Sequence, residues 1–347
     1  MPGVTAKEIA EKLNLSQSTV SLALNGRPGV NENTRALVLE TAMQMGYSRP
    51  DTAPLSPPRT ICFLRYAGQI VQIAEHTSFA SFVLQGVESR ATELGYTTQV
   101  RYLNTGDMYN PQTLDVIRNA GGIIFLGTDI TESQLPEIER FFESIGSIPV
   151  VVVDSNLLAN RVDCITNDCY GGSKEAAEYL LRSGHRRIGY IKAKQRIRNL
   201  EERERGVRAA LERFGCQLAA TIEVDISSEG AFQDFDAWVK QEPPLPDALF
   251  AENDIIAAAV IRVLKKHGYR VPDDVSVIGF DDIPMCEMLD PPLTTVHSFK
   301  EELGIIAVEH LDRRIRRGEV PHQMASVGRL NTALSTCLVT RFSVKSR

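Results

Sequence analysis

Apolar side chains recur along this chain in two rhythms. Over the first fifty residues they return every three or four positions. Ile9, Ala10 and Leu13 follow Thr5, and Glu8 stands three residues after Thr5, a capping-box pairing that predicts a helix over Ala6–Leu13. Asn14 and Leu15 break the pattern. Ser16 then caps a second short helix, Gln17–Leu24, with Val20 and Leu24 one turn apart on its buried side. A third helix is predicted over about Glu32–Met45, after the loop Asn25-Gly26-Arg27-Pro28-Gly29 and before Gly46, with Leu37, Val38, Thr41 and Met45 facing the other two.

From Thr60 onward, short apolar runs alternate with amphipathic segments. The runs 60–64, 122–126, 149–153, 187–191, 248–251 and 275–279 read as strands buried on both faces. Ser81 to Leu94, Tyr170 to Arg182, Glu202 to Phe214 and Ile255 to His267 read as helices between them. Strand and helix in turn imply right-handed βαβ units, hence parallel sheets with ligand-binding loops at the C-terminal ends of their strands. The fold class is α/β behind a small helical head. Residues 49–59 carry four prolines, Pro50, Pro54, Pro57 and Pro58, and are predicted to be an extended linker, so the head spans 1–48.

Three short helices around so small a core fit a helix-turn-helix reader of DNA, and they also fit a small bundle that binds protein. The second helix favours DNA, because Gln17, Ser18, Thr19 and Ser21 crowd its N-terminal half with groups that hydrogen-bond to base edges and phosphates. Charge limits how such a head can work. The first fifty residues hold five basic side chains (Lys7, Lys12, Arg27, Arg35, Arg49) against four acidic ones (Glu8, Glu11, Glu32, Glu40). With so little phosphate attraction from one copy, two copies on one duplex are required.

The 347 residues, 43% of them hydrophobic, suffice for two or three domains and exclude a disordered or fibrous chain. A formal net charge of −6 excludes a polybasic protein that coats nucleic acid by charge alone. No apolar run approaches the roughly 20 residues that cross a bilayer, and Lys7, Glu8, Glu11 and Lys12 stand where a signal peptide needs an apolar core. The six cysteines form no CxxC pair, so neither a disulfide framework nor a zinc site is indicated. The protein is expected in a reducing cytoplasm, away from membranes, with no metal and no cofactor.

The head, Val4 to Ser21 continuing to Asn25-Gly26, resembles the DNA-binding head of the lactose-repressor (LacI/GalR) family. So do Gly184-His185-Arg186-Arg187-Ile188, Glu202-Arg203-Glu204-Arg205-Gly206, Asn253-Asp254, the run Val271 to Asp282 and Pro292-Leu293-Thr294-Thr295-Val296, all in the family's order. The resemblance covers nearly the whole chain. It implies a homodimeric repressor of an operator on double-stranded DNA. Its body would be like periplasmic sugar-binding proteins, two doubly wound lobes joined by three crossing strands with a small-molecule effector between them. Carried over, the N-terminal lobe comprises 60–166 and 298–329, and the C-terminal lobe 167–297 and 330–347.

The family's effector contacts fall here on Phe79, Asp154, Arg203, Asn253 and Asp281, with Phe82 competing for the role of Phe79 and Asp168 a further pocket residue. An ionised Asp accepts two hydroxyl hydrogen bonds, Arg donates in a fixed fork, Asn does both and an aromatic ring forms an apolar floor. Such a lining suits a sugar or another polyhydroxylated molecule, while related bodies also hold nucleobases. Asp281 beside Asp282 also reads as a loop or cap pair, Arg203 as a solvated charge, and His185 as structural. In the head, Gln17, Ser18 and Leu22 would read bases while Thr5, Ser16, Thr19, Ser21, Asn25 and Thr34 hold phosphates. Leu22 replaces the arginine the family often uses, which exchanges a guanine contact for apolar contact with a thymine methyl. Prolines 54, 57 and 58 fall where the family forms a linker helix with a minor-groove wedge, the place of Leu55 here. A transport receptor and a sugar-acting enzyme with Asp154 and Asp281 as paired carboxylates are the rival readings. No HExxH, GxSxG or Gly-rich phosphate loop supports catalysis, so no catalytic residue is assigned.

Overall fold

The computed structural model describes residues 5–24, 30–45, 59–67, 78–104, 106–317 and 328–347, and it separates into two units that divide after Pro57. Asn25, the linker prolines and Leu55 lie outside the described residues.

The first unit is three helices, α1 (Ala6–Leu13), α2 (Gln17–Leu24) and α3 (Glu32–Gln44). Thr5 and Glu8 close the capping box of α1, the Thr5 N–H donating to Glu8 Oε2 at 2.6 Å. Ser16 Oγ accepts the Thr19 N–H at 3.0 Å and opens α2. Ile9, Ala10, Val20, Ala23, Val38 and Ala42 form the core. Leu37 is not part of it: the buried stripe of α3 runs Val38, Thr41 and Ala42, with half-buried Met45 just past the helix, and Leu37, one position off that stripe, is 51% exposed.

The second unit has two lobes. A six-stranded sheet, all parallel, takes the order β11-β5-β4-β3-β1-β2, with β1 Thr60–Tyr66, β2 Thr97–Leu103, β3 Gly122–Leu126, β4 Val150–Val153, β5 Asp163–Asn167 and β11 Asn331–Leu334. It packs with α4 (Phe79–Glu93), α5 (Pro111–Arg118), α6 (Leu135–Ser144) and α12 (Lys300–Arg316). The other sheet, order β7-β6-β8-β9, is also parallel, with β6 Ile188–Ala193, β7 Ala220–Val224, β8 Ala248–Ala251 and β9 Ser276–Ile278. Around it lie α7 (Cys169–Arg182), α8 (Arg198–Arg213), α9 (Ser228–Val239), α10 (Asp254–Lys266) and the short α11 (Met285–Met288). β10 (Thr295–His297) and β12 (Cys337–Val339) pair antiparallel between the sheets.

The chain passes from one lobe to the other after β5, after β10 and after β11. The last passage corrects the expected boundary at residue 330. Asn331–Leu334 adds to the first sheet beside β5 because Leu330 and Leu334 pack on that lobe's core, so the second lobe resumes only with β12. Gly206 sets α8 against α7: a Cβ there would collide with the Tyr170 carbonyl oxygen. That close approach carries the neighbouring turn of α8, and Arg203 with it, toward the space between the lobes.

Candidate functional site

Parallel strands end in loops at one edge of each sheet, and the polar residues gather there. Asp154 follows β4, Asn253 follows β8, and Asp281 follows β9 by three residues. Asp154 and Asp281 have φ of 64° and 109°, a region that is strained for residues other than glycine and clusters at functional sites.

Arg203 stands at the centre of the second lobe's share. It is 6% exposed, so the reading of a solvated surface charge does not hold. Its Nη2 donates to Asp281 Oδ1 at 2.8 Å, its Nη1 donates to the Glu252 carbonyl at 2.5 Å, and its guanidinium lies 3.7 Å from the centre of the Phe280 ring. Burial works against the charge of Arg203, but Asp281 and Cys169 outweigh it and hold the guanidinium above its ordinary value. Nε has no hydrogen-bond partner among the described residues. A buried charged donor without an acceptor is costly unless a ligand or water completes it.

Asp154 supplies the first lobe's share. Thr128 Oγ1 donates to its Oδ2 at 2.7 Å, and Asn199 of α8 donates to its carbonyl at 3.2 Å across the gap between the lobes. Burial pushes its carboxyl up to about 7, with Thr128 and Arg203 pulling the other way. Asp254, the first residue of α10, is likewise pushed up to about 7 by burial and by the Asp281 charge. It fixes the loop after β9, accepting from Thr295 Oγ1 at 2.5 Å and from the Ile283 N–H at 3.0 Å.

Asn253 has a narrower role than its type allows. Its Oδ1 caps α10 by accepting the Ile256 N–H at 2.8 Å, which leaves its amide N–H groups for a ligand. Phe79 is 7% exposed and belongs to the core beneath α4, and the ring that meets Arg203 is Phe280. Phe82 lines a separate cavity of about 410 Å³ with Asp282, His297, Lys300 and Arg341. Asp282 is the structural member of its pair, bound to His297 Nδ1 and Arg341 Nη1, each at 2.8 Å. Asp168 caps α7 through the Gly171 N–H at 2.7 Å. His185 is fully buried at the start of the second sheet, its Nε2 against the Lys345 carbonyl at 3.0 Å.

Glu252 escaped the sequence reading. Fully buried, its carboxylate accepts from Tyr190 Oη, the Ala193 N–H and Arg196 Nη1, at 2.7, 2.6 and 2.7 Å, while its carbonyl holds Arg203. Arg196, Ile197 and Arg198 line one wall of a cavity of about 310 Å³, and Ile130, Thr131 and Leu157 of the first lobe line the other.

In the head, Gln17, Ser18 and Ser21 are exposed on α2, while Thr19 and Leu22 are half-buried. The Ser16 hydroxyl lies 2.7 Å from those of both Ser18 and Thr19, so these three hydroxyls already engage one another. Thr5 is tied into its capping box, and Thr34 gives its N–H to Asn31 Oδ1 at 2.7 Å.

Residues 5–50 match the family model "Bacterial regulatory proteins, lacI family", and residues 177–343 match a periplasmic binding protein-like domain. The HTH-type transcriptional repressor PurR of Vibrio parahaemolyticus is 32% identical over 91% of this chain and 93% of its own length. The chain belongs to the lacI family. The probable HTH-type transcriptional repressor ExuR of Bacillus subtilis is 30% identical over 89% of this chain and 90% of its own. Among solved structures, the complex of the transcriptional regulator CelR with cellobiose superposes with a TM-score of 0.69 at 25% identity, covering 98% of this chain and 99% of that one. The chain is therefore a ligand-responsive DNA-binding regulator and not an enzyme, and no described helix is long and apolar enough to cross a membrane.

Proposed function

We propose that this repressor acts in the cytoplasm as a homodimer, each head taking one half of a pseudo-palindromic operator, and that a sugar or a similarly polyhydroxylated effector controls it. The observation that carries the effector reading is the Arg203–Asp281 pair, buried, strained at Asp281 and incomplete at Arg203 Nε among the described residues, together with the first-lobe Asp154, whose backbone carbonyl Asn199 holds across the gap. Arg203 and the Asn253 amide donate to ligand oxygens, and Asp154 and Asp281 accept from hydroxyls. The CelR complex, which holds cellobiose, supports a carbohydrate.

In the head, the uncharged α2 leaves recognition to the Gln17 amide, the Ser18 hydroxyl and an apolar contact from Leu22. Thr5, Ser16, Thr19, Ser21, Asn25 and Thr34 are assigned to the phosphates. Closing the lobes on the effector changes the spacing of the paired heads, which alters operator affinity.

A thermal-shift screen of the full chain against sugars, sugar acids and purines tests the effector class, because a specific ligand raises the melting temperature by mass action. A shift with sugars alone supports the reading. A shift with purines alone replaces the polyol by a nucleobase. Gel shifts on fragments upstream of the gene test the DNA arm, and failure to shift any fragment at physiological salt removes it.

A further inference from the structure

The head brings little positive charge to DNA. Among its described residues Lys7, Lys12 and Arg35 are offset by Glu8, Glu11, Glu32 and Glu40, and α2 has no charged side chain. The body is acidic overall but not uniformly so. All six strands of the first sheet run parallel, so the residues just before each strand and the C-terminal ends of its helices share one end of the lobe. Arg59, the first described residue of the body, lies at that end, where its carbonyl accepts the Thr97 N–H at 2.8 Å. The chain therefore leaves for the head from there.

Arginines concentrate on this end. Arg90, Arg161 and Arg316 are matched by Glu93, Glu139 and Asp312 at 2.6, 3.3 and 2.8 Å. Arg59, Arg118, Arg313 and Arg329 are exposed and have no carboxylate partner among the described residues. Arg118 and Arg329 donate only to the backbone carbonyls of Ser144 and Asn160, at 3.0 and 2.5 Å. Among the described residues, Asp115 and Glu143 are carboxylates there without a basic partner. Helix dipoles explain cations at the ends of α5 and α12, where Arg118 and Arg313 stand. They do not explain Arg59 and Arg329, which precede strands, elements with almost no net dipole.

We propose that this arginine-bearing end of the first lobe is a second DNA contact, which holds the phosphates flanking the half-site bound by the head. The inference rests on the DNA-binding reading above. Chain length permits it: eleven residues, 49–59, span at most about 40 Å when fully extended, enough for head and patch to reach one duplex. The chemistry is that of counterion release, in which each cation seated on a phosphate contributes about 0.9 to the slope of log affinity against log salt.

The test needs no operator. Binding of the full chain to a random-sequence 40-base-pair duplex is followed by fluorescence anisotropy from 50 to 200 mM salt. The variant Arg59→Gln/Arg118→Gln/Arg313→Gln/Arg329→Gln is compared with a charge-matched control in the second lobe, Arg182→Gln/Arg205→Gln/Arg213→Gln/Arg270→Gln. If all four cations sit on phosphates, the variant's slope falls by about 3.6 per protomer, which over that fourfold salt range is a difference of roughly 150-fold in how far affinity drops. A fall of one or more, absent from the control and with the melting temperature retained, supports the contact. A slope within one unit of wild type overturns it and leaves the patch to an acidic protein. If the wild type binds no duplex at all, the DNA-binding reading falls instead.

Discussion

Asp154→Asn is expected to stabilise the protein at neutral pH while removing effector binding. The wild-type carboxyl is buried and pushed up from its ordinary 3.8 to about 7. Between those two values the folded state holds a proton that the unfolded chain releases, so stability falls as pH rises from about 4 to 7 and stays at its lower level above that. The difference amounts to about 4 kcal/mol at pH 8, an upper figure because water entry and relaxation reduce it. Asparagine keeps the shape and can still accept the Thr128 hydroxyl through its carbonyl oxygen, but it carries no charge to desolvate. Urea unfolding of wild type and variant at pH 5, 6, 7 and 8 reads the effect. The variant should gain on the wild type steadily from pH 5 and exceed it by about 2–4 kcal/mol at pH 8, while losing the thermal shift given by the wild type's ligand. Equal stability at pH 8, or a gain that does not grow with pH, would refute the claim that Asp154 is held for function at the expense of stability.

Arg203→Met strands the Asp281 carboxylate without its partner, and breaking a buried pair in this way lowers stability by about 3–5 kcal/mol. Adding Asp281→Asn should recover a large part of that loss in chemical denaturation without restoring effector binding, and an additive double variant would show the pair to be uncoupled. Gly206→Ala pushes a methyl group against the Tyr170 carbonyl, so α7 and α8 should separate slightly, with a loss of about 1–3 kcal/mol by calorimetry and weaker effector binding through Arg203. Gln17→Ala should weaken operator binding by about 1–3 kcal/mol and leave the salt slope unchanged, since an amide reads bases and releases no counterions.

Much of the fold was legible because its strands are buried on both faces. The runs that became β1, β3, β4, β6, β8 and β9 are almost uninterrupted apolar stretches, and all but β9, which closes one side of the second sheet, are interior strands. β2 and β7 escaped notice because each is an edge strand whose outward residues are polar, as in Thr97-Thr98-Gln99 and Thr221. β5 was hidden differently. It begins with Asp163, which a sequence reader places in a loop, but here the carboxylate is fully buried and satisfied by Arg314, His310 and the Leu330 N–H. Family pattern singled out Asp154, Arg203, Asn253 and Asp281, and the structure shows which neighbours each one bonds. That Asn253 spends its oxygen on a helix cap, and that Phe280 lies under Arg203, depends on chain direction after a strand, which periodicity does not encode. Glu252 and Asn199 left no local signal, because their partners lie at least 45 residues away in sequence.

In the proposed function, the cleft between the lobes and the head are two sites of one equilibrium. Operator affinity should be measured by anisotropy with and without the ligand that raises the melting temperature most, in wild type and in Asp154→Asn. A change of about 5-fold or more in the wild type, in either direction and absent from the variant, is the predicted result. A ligand that stabilises the body strongly yet leaves operator affinity unchanged would contradict it.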